Sequence, residues 1–111
     1  MRTFETGATR DDDENKLDYE GFLNPEVLRC FAEYMHMHRF QADETMRDSD
    51  NWQKGMGQSV YMKSMARHFI DTWRLHRFGV RHGAELEDTL CALLFNVMGM
   101  LKEVMDEGAE P

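Results

Sequence analysis

The amino-acid sequence predicts a single all-α domain, and its apolar patterning carries this prediction. Apolar residues recur at spacings of three and four over three long segments, which is the period of an amphipathic helix. The segments are bounded by residues that begin or end helices, such as Asn24 and Pro25 before the first and Gly79 after the second. The length of 111 residues fits one domain, residues 1–111, with a modest core.

Three main helices are predicted in order. The first covers residues 25 to about 39, the second about 59 to 77, and the third about 84 to 105. The third is apolar nearly all round, which is typical of a helix at the centre of a bundle or at a subunit interface. Apolar faces this broad exceed what one small bundle buries. We therefore expect a homo-oligomer, a dimer or tetramer, in which two copies complete a multi-helix bundle.

Three polar segments flank or join these helices. Residues 1–23 are predicted to form an extended N-terminal arm, and residues 106–111 a flexible tail. A long polar connector runs from Phe40 to Gly57. A connector of this length without secondary structure is usually functional or disordered, and Trp52 within it favours function.

The composition narrows the class of function. With 13 basic and 21 acidic residues the net charge is −8, which argues against a protein that coats nucleic acid. The net charge is still compatible with binding of one phosphorylated metabolite in a locally basic pocket. An acidic chain that handles phosphates usually needs a divalent metal. The sequence has no signal-peptide pattern and no membrane-spanning apolar run, and Cys30 and Cys91 fit buried, reduced thiols. These features predict a cytoplasmic protein that makes no membrane contact.

A narrow polar stripe on the third predicted helix is the most informative feature. Glu85 and Asp88 are three residues apart, so their carboxylates project together, either as metal ligands or as charges that complement the helix dipole. Asn96 lies on the same face within an apolar run. A buried asparagine must be hydrogen-bonded, so it marks either a polar network that fixes packing or the floor of a site.

Two further side chains have open interpretations. Glu33 on the first helix is either an ion-pair partner of Arg29 or a metal ligand between helices. His68 falls at the edge of the apolar stripe of the second helix. It is a ligand, a base or a packed imidazole, and the neighbouring Arg67 has the reach to contact phosphate.

Within the connector, Asn51, Trp52 and Lys54 combine an amide, a large aromatic plane and a cation. Such groups can read a base edge, stack on a base and hold a phosphate. The alternative is a tryptophan that simply anchors the loop to the core.

Several motifs together resemble a known family. The most specific are Asn51-Trp52-Gln53-Lys54-Gly55 and Arg67-His68-Phe69, supported by the run from Cys91 to Gly99 and by residues 7–11 and 18–23. The chain resembles the dATP/dGTP diphosphohydrolase N-terminal domains of phages and prophages, which are MazZ-related members of the all-α MazG-like nucleotide pyrophosphohydrolases.

The resemblance implies an oligomeric enzyme that cleaves purine deoxynucleoside triphosphates to monophosphate and pyrophosphate with Mg²⁺ or Mn²⁺. It points to His68 without assigning its role, and our hypothesis takes His68 and Asp88 as catalytic residues and Glu33, Glu85 and Asp88 as metal ligands. The implied substrate-binding residues are Arg10, Lys16, Asn51, Trp52, Lys54, Arg67 and Asn96.

The first helix departs from the family's metal signature of Glu-Glu-x-x-Glu and offers Glu33 and His36 instead, whereas the Glu-x-x-Asp spacing is present as Glu85 and Asp88. Two alternative functions follow. One is a non-catalytic phage protein that sequesters a nucleotide, for example in counter-defence. The other is an interaction protein that inhibits a host enzyme through its acidic surface.

Overall fold

The structure, a computed structural model, describes residues 2–12, 14–79 and 83–109, and most of these are helical. In chain order the elements are β1 (Arg2–Thr3), β2 (Thr9–Arg10), α1 (Tyr19–Phe22), α2 (Pro25–Met37), a 3₁₀ helix (Asn51–Lys54), α3 (Gln58–Arg74), a π-helical segment (Leu75–Gly79) and α4 (Gly83–Ala109). The all-α prediction is confirmed in outline, with the small antiparallel β1–β2 sheet as an addition.

The helix α2 begins where the sequence predicts. The Asn24 side chain accepts hydrogen bonds from the backbone N–H groups of Glu26 and Val27, at 2.9 and 3.1 Å, and Pro25 occupies the first helical position. The helix ends at Met37, two residues earlier than predicted, because the chain turns at His38 into the connector.

The helices α3 and α4 pack antiparallel and form the centre of the fold. At one end, Gln58 Nε2 donates to Glu107 Oε1 at 2.7 Å, and this bond joins the start of α3 to the end of α4. Between them Tyr61, only 1% exposed, lies against Gly99 and contacts the ring of Phe95. Glycine at position 99 leaves the space that the Tyr61 ring fills.

The helix α2 packs against α4, and in the described part of the chain its backbone does not closely approach that of α3. Cys30 on α2 and Cys91 on α4 meet at this contact, and both are free thiols. Burial, together with a hydrogen bond between the two thiols, raises the pKa of Cys91 to about 11.

The predicted N-terminal arm and C-terminal tail both contain secondary structure. The arm contains the β1–β2 hairpin and α1, which Asp18 begins by accepting a hydrogen bond from the Gly21 N–H. In the described residues neither element packs against α2, α3 or α4. The helix α4 continues to Ala109, so residues 106–109 of the predicted tail are helical, and residues 110–111 lie outside the described residues.

Much apolar surface stays exposed in the single chain. The radius of gyration is 19.1 Å, whereas a compact chain of this length has a value of about 13 Å. Large apolar side chains on α3 and α4 are half-exposed, among them Phe69 at 54% and Trp73 at 57%. No helix among the described residues is both long and apolar enough to span a membrane.

Candidate functional site

A cavity of about 480 Å³ lies where α2, the connector, α3 and α4 meet. It brings together five of the side chains that the sequence predicts for a site, although they come from three different elements. These are Asn51, Trp52, Lys54, His68 and Asn96.

The 3₁₀ helix of the connector supplies one wall of the cavity. Trp52 is half-buried and contacts Phe95 of α4 edge-to-face, with ring centroids 6.1 Å apart. Phe95 in turn contacts Tyr61 of α3 at 6.0 Å. Trp52 therefore anchors the connector to the core, as one interpretation of the sequence holds, and it also lines the cavity, as the other requires.

Asn96 and His68 present polar groups to the cavity. Asn96 is 4% exposed, and its Nδ2 donates to the Ala92 carbonyl at 2.7 Å. Within the described residues its Oδ1 accepts no hydrogen bond, and the ring nitrogens of the half-buried His68 make none. Both side chains line the cavity, so they can hydrogen-bond a ligand there.

A carboxylate on α4 fixes the end of the connector. Glu103 Oε1 accepts hydrogen bonds from the backbone N–H groups of Met56 and Gly57, each at 2.9 Å. The backbone is left-handed at Gly55 and Gly57, with φ of 89° and 91°, a conformation that favours glycine. Glu103 therefore positions the segment that carries Trp52 and Lys54.

The charge around the cavity is opposite in sign to that of the chain. Arg39, Arg47 and Lys54 line it, and among the described lining residues Asp48 is the only carboxylate. Sequence reasoning did not single out Arg39 or Arg47 as site residues. The signal available for Arg47 is its position in the same polar connector, shortly before Asn51 and Trp52.

Three predicted substrate-binding residues do not line the cavity. Arg10 lies on β2 and Lys16 in the arm, and both are exposed. Arg67 Nη2 donates to Ser64 Oγ at 2.9 Å, and Ser64 is a lining residue. Arg67 therefore reaches only the edge of the cavity, through Ser64.

The predicted metal ligands do not come together in a single chain. Glu33 is exposed and forms an ion pair with Arg29 at 3.1 Å. Glu85 and Asp88 line a separate cleft, of about 600 Å³, between the end of α3 and the start of α4. The described residues contain no group of three or more His, Cys, Asp or Glu side chains that could hold a metal ion.

Asp88 nevertheless acts electrostatically on the lining of the cavity. The pKa of Tyr34 is raised mainly by burial, and the nearby Cys91 and Asp88 raise it further. Tyr34 is a lining residue, so Asp88 lies within electrostatic range of one wall.

Comparison of the chain with protein-family models, with curated proteins and with solved structures finds no significant match.

Proposed function

We propose that this chain is a cytoplasmic nucleotide pyrophosphohydrolase, and that it cleaves purine deoxynucleoside triphosphates to monophosphate and pyrophosphate. One observation carries the proposal. The cavity gathers Trp52, Asn96, His68 and Lys54 around a volume of about 480 Å³, which lies within the range of small-molecule sites, about 300–1,000 Å³.

Each of these side chains has a role in the proposed complex. The base stacks on Trp52, a large aromatic surface held in place by Phe95. The Asn96 amide, with its Oδ1 free to accept a hydrogen bond, contacts the edge of the base from the cavity floor. Lys54 offsets negative charge on the phosphates.

The proposed reaction is hydrolysis at the α-phosphorus. The oxygen of a water molecule bonds to this atom, and the bond from it to the oxygen that bridges to the β-phosphorus breaks. Pyrophosphate leaves with the bridging oxygen. The His68 imidazole, which makes no hydrogen bond within the described residues, accepts the proton of the attacking water.

The resemblance implies Mg²⁺ or Mn²⁺, and we retain this metal dependence as part of the proposal. Glu33, Glu85 and Asp88 do not fit such an ion within one chain, because Glu33 is paired with Arg29 and the other two lie in a separate cleft. No step of the reaction is therefore assigned to a metal.

We also propose that the protein is a homo-oligomer. A groove of about 580 Å³ on the α3–α4 face is lined by apolar side chains alone: Met62, Met65, Ala66, Phe69, Leu93, Leu94 and Val97. A second copy that presents the same face would cover this groove, as in an isologous dimer. The radius of gyration supports this arrangement, since it exceeds that of a compact chain.

Chromatographic analysis of phosphate products tests the proposed function. Wild-type protein is incubated with dATP, dGTP, dCTP or dTTP, each with and without Mg²⁺. We expect monophosphate and pyrophosphate from the purine substrates in the presence of Mg²⁺. The variants Trp52→Ala and His68→Ala should lose this turnover, whereas Lys63→Ala, a control on an exposed part of α3, should retain it. Diphosphate and orthophosphate as products would contradict the proposed site of cleavage.

The separation of Glu33 from Glu85 and Asp88 favours a second candidate function. In this alternative the cavity sequesters a nucleotide without cleaving it. The product assay distinguishes the two, because sequestration leaves every nucleotide intact with and without Mg²⁺. Sequestration also predicts stoichiometric, Mg²⁺-independent binding of that intact nucleotide. Loss of turnover in Asp88→Asn would favour the enzyme and would place Asp88 in its chemistry.

A further inference from the structure

Two arginines lie opposite each other at the base of a short hairpin in the connector. Phe40 and Met46 form an antiparallel bridge, and just outside it the Arg47 N–H donates to the Arg39 carbonyl at 2.8 Å. The side chains reinforce this pairing. Arg39 Nε donates to the Arg47 carbonyl at 2.7 Å, and Arg47 Nη2 donates to the carbonyl of His38.

These hydrogen bonds hold both side chains in place. The Nη groups of Arg39 and the Nε and Nη1 groups of Arg47 take no part in these bonds, so they can donate to a ligand. Both residues line the cavity, beside Lys54. The cavity is therefore flanked by two pre-positioned guanidinium groups that retain donors for a ligand.

Within the described part of the chain, neither arginine cation is paired with a carboxylate, although the sequence contains 21 acidic residues. Both cations line one cavity, and an anion bound there would offset the repulsion between like charges. Guanidinium groups match the geometry of phosphate oxygens and bind them through two parallel hydrogen bonds.

We propose that Arg39 and Arg47 bind the polyphosphate tail of the nucleotide, with Lys54 beside them. The assignment adds two arginines that the resemblance does not imply, whereas Lys16 and Arg67, which it implies as substrate-binding residues, do not line the cavity. It rests on the proposed function for the nucleotide, whereas the affinity for polyphosphate follows from the arginine pair itself. The base then occupies the end of the cavity at Trp52 and Asn96.

Isothermal titration calorimetry with four ligands tests the proposal, and metal-free buffer prevents turnover. The ligands are deoxyadenosine, dAMP, dATP and inorganic tripolyphosphate. Wild-type affinity should rise with the number of phosphates. Arg39→Gln and Arg47→Gln should each weaken binding of dATP and of tripolyphosphate by about tenfold or more, the usual range for a hydrogen bond to a charged group. Binding of deoxyadenosine should not change.

Two matched sets of variants separate charge from hairpin structure. Arg39→Lys and Arg47→Lys keep the cations but lose the paired guanidinium donors, so their tripolyphosphate affinity should lie between that of the glutamine variants and that of the wild type. Arg29→Gln removes the same charge from an exposed part of α2 and should have no effect. Added salt should weaken tripolyphosphate binding less in the glutamine variants than in the wild type, since fewer charges attract the ligand.

Three results would overturn the proposal. They are wild-type protein that does not bind tripolyphosphate, glutamine variants that bind it normally, and glutamine variants that lose deoxyadenosine to the same extent as dATP. Failure of the arginine phosphate site can be distinguished from failure of the proposed function. Arginine-dependent binding of tripolyphosphate, in a protein that neither binds nor cleaves purine nucleotides, would support the phosphate site while contradicting the pyrophosphohydrolase.

Discussion

The contact between Gly99 and Tyr61 determines how closely α3 and α4 approach beside the cavity. A Cβ atom at position 99 would overlap the Tyr61 ring. The ring is 1% exposed and contacts Phe95, so a displacement of the ring would disturb this packing. Because Phe95 also supports Trp52, this packing extends to the wall of the candidate site.

Gly99→Ala should therefore lower the free energy of unfolding by about 1–3 kcal/mol, the usual range for overpacking a core. Urea denaturation measures the change. Gly108→Ala is the matched control. It lies near the end of the same helix with no atom within 4 Å of the added Cβ, so it should not lower the free energy of unfolding. Equal effects of the two substitutions would show that the Tyr61 contact does not constrain position 99.

The buried Cys91 thiol makes stability depend on pH in the alkaline range. Its pKa is raised from 9.0 to about 11 by burial and by the hydrogen bond with Cys30. The unfolded chain therefore releases this proton at lower pH than the folded chain does. The free energy of unfolding should fall as the pH rises from 9.0 towards about 11.

Burial also raises the phenol pKa values of Tyr34 and Tyr61 above 10.0, so both add to the fall at the upper end of this range. Urea denaturation at a series of pH values measures the effect, and Cys91→Ala should flatten the dependence between pH 9.0 and about 11. An unchanged slope in this variant would remove Cys91 as its source.

At single residues, the sequence carries information where the signal is local. Asn96 is conspicuous because a polar residue interrupts an apolar helical run, and the structure places it in a cavity wall with its amide bonded to Ala92. Arg39 was not predicted. Its place in the site depends on the hairpin that folds the connector back to the end of α2, and no local pattern encodes that fold.

At the scale of elements, the connector shows how a long polar segment becomes ordered. Its two glycines adopt the left-handed backbone that directs the chain into α3. A carboxylate 47 residues further along the chain accepts the hydrogen bond from Met56. This contact between distant parts of the sequence explains why the connector was predicted to lack structure.

Glu103→Ala should release this segment. We expect faster amide hydrogen exchange at Met56 and Gly57, and a loss of about 1–2 kcal/mol in the free energy of unfolding, as for removal of a helix cap. Glu103→Gln keeps an acceptor oxygen and should lie between the wild type and the alanine variant. Exchange at wild-type rates in Glu103→Ala would contradict the positioning role of this carboxylate.

The long helices were predictable because their signals lie within their own segments. The capping residue Asn24 and the proline after it locate the start of α2, and the apolar period locates α3 and α4. Their C-terminal ends were less predictable. The helix α2 ends early to form the hairpin, and α3 passes into the π-helical segment Leu75–Gly79 instead of continuing as an α-helix to residue 77.

At the scale of the whole molecule, the apolar α3–α4 face is the feature that a single chain leaves uncovered. Leu94 is 41% exposed in a groove lined only by apolar side chains. Exposed apolar surface of this extent is typical of an interaction site. The sequence predicts such a surface because the third helix is apolar nearly all round. We propose that a second copy of the chain covers it.

Leu94→Glu should shift the proposed oligomer to monomer, because a buried carboxylate without a partner is strongly unfavourable at a subunit interface. Size-exclusion chromatography with light scattering measures the mass over a range of concentrations. Lys63→Glu also makes the charge more negative but lies on an exposed part of α3 outside the groove, and it should leave the mass unchanged. A wild-type protein that is monomeric at all concentrations would contradict the proposed self-association.

The candidate site could be predicted in part. The amide, aromatic and cationic groups of the connector converge with His68 and Asn96 in one cavity. The carboxylates do not converge. Helical spacing correctly places Glu85 near Asp88, but it carries no information on whether Glu33 on another helix faces them.

We propose that this cavity binds a purine nucleotide against Trp52, and the tryptophan fluorescence of two single-tryptophan variants tests this proposal. Trp73→Phe leaves Trp52 as the reporter, and Trp52→Phe leaves Trp73, which lies outside the cavity. Titration with dATP in metal-free buffer should quench the emission of the first variant saturably and leave that of the second unchanged. Saturable quenching of Trp73 alone, or no response of Trp52 to either dATP or dGTP, would contradict the claim.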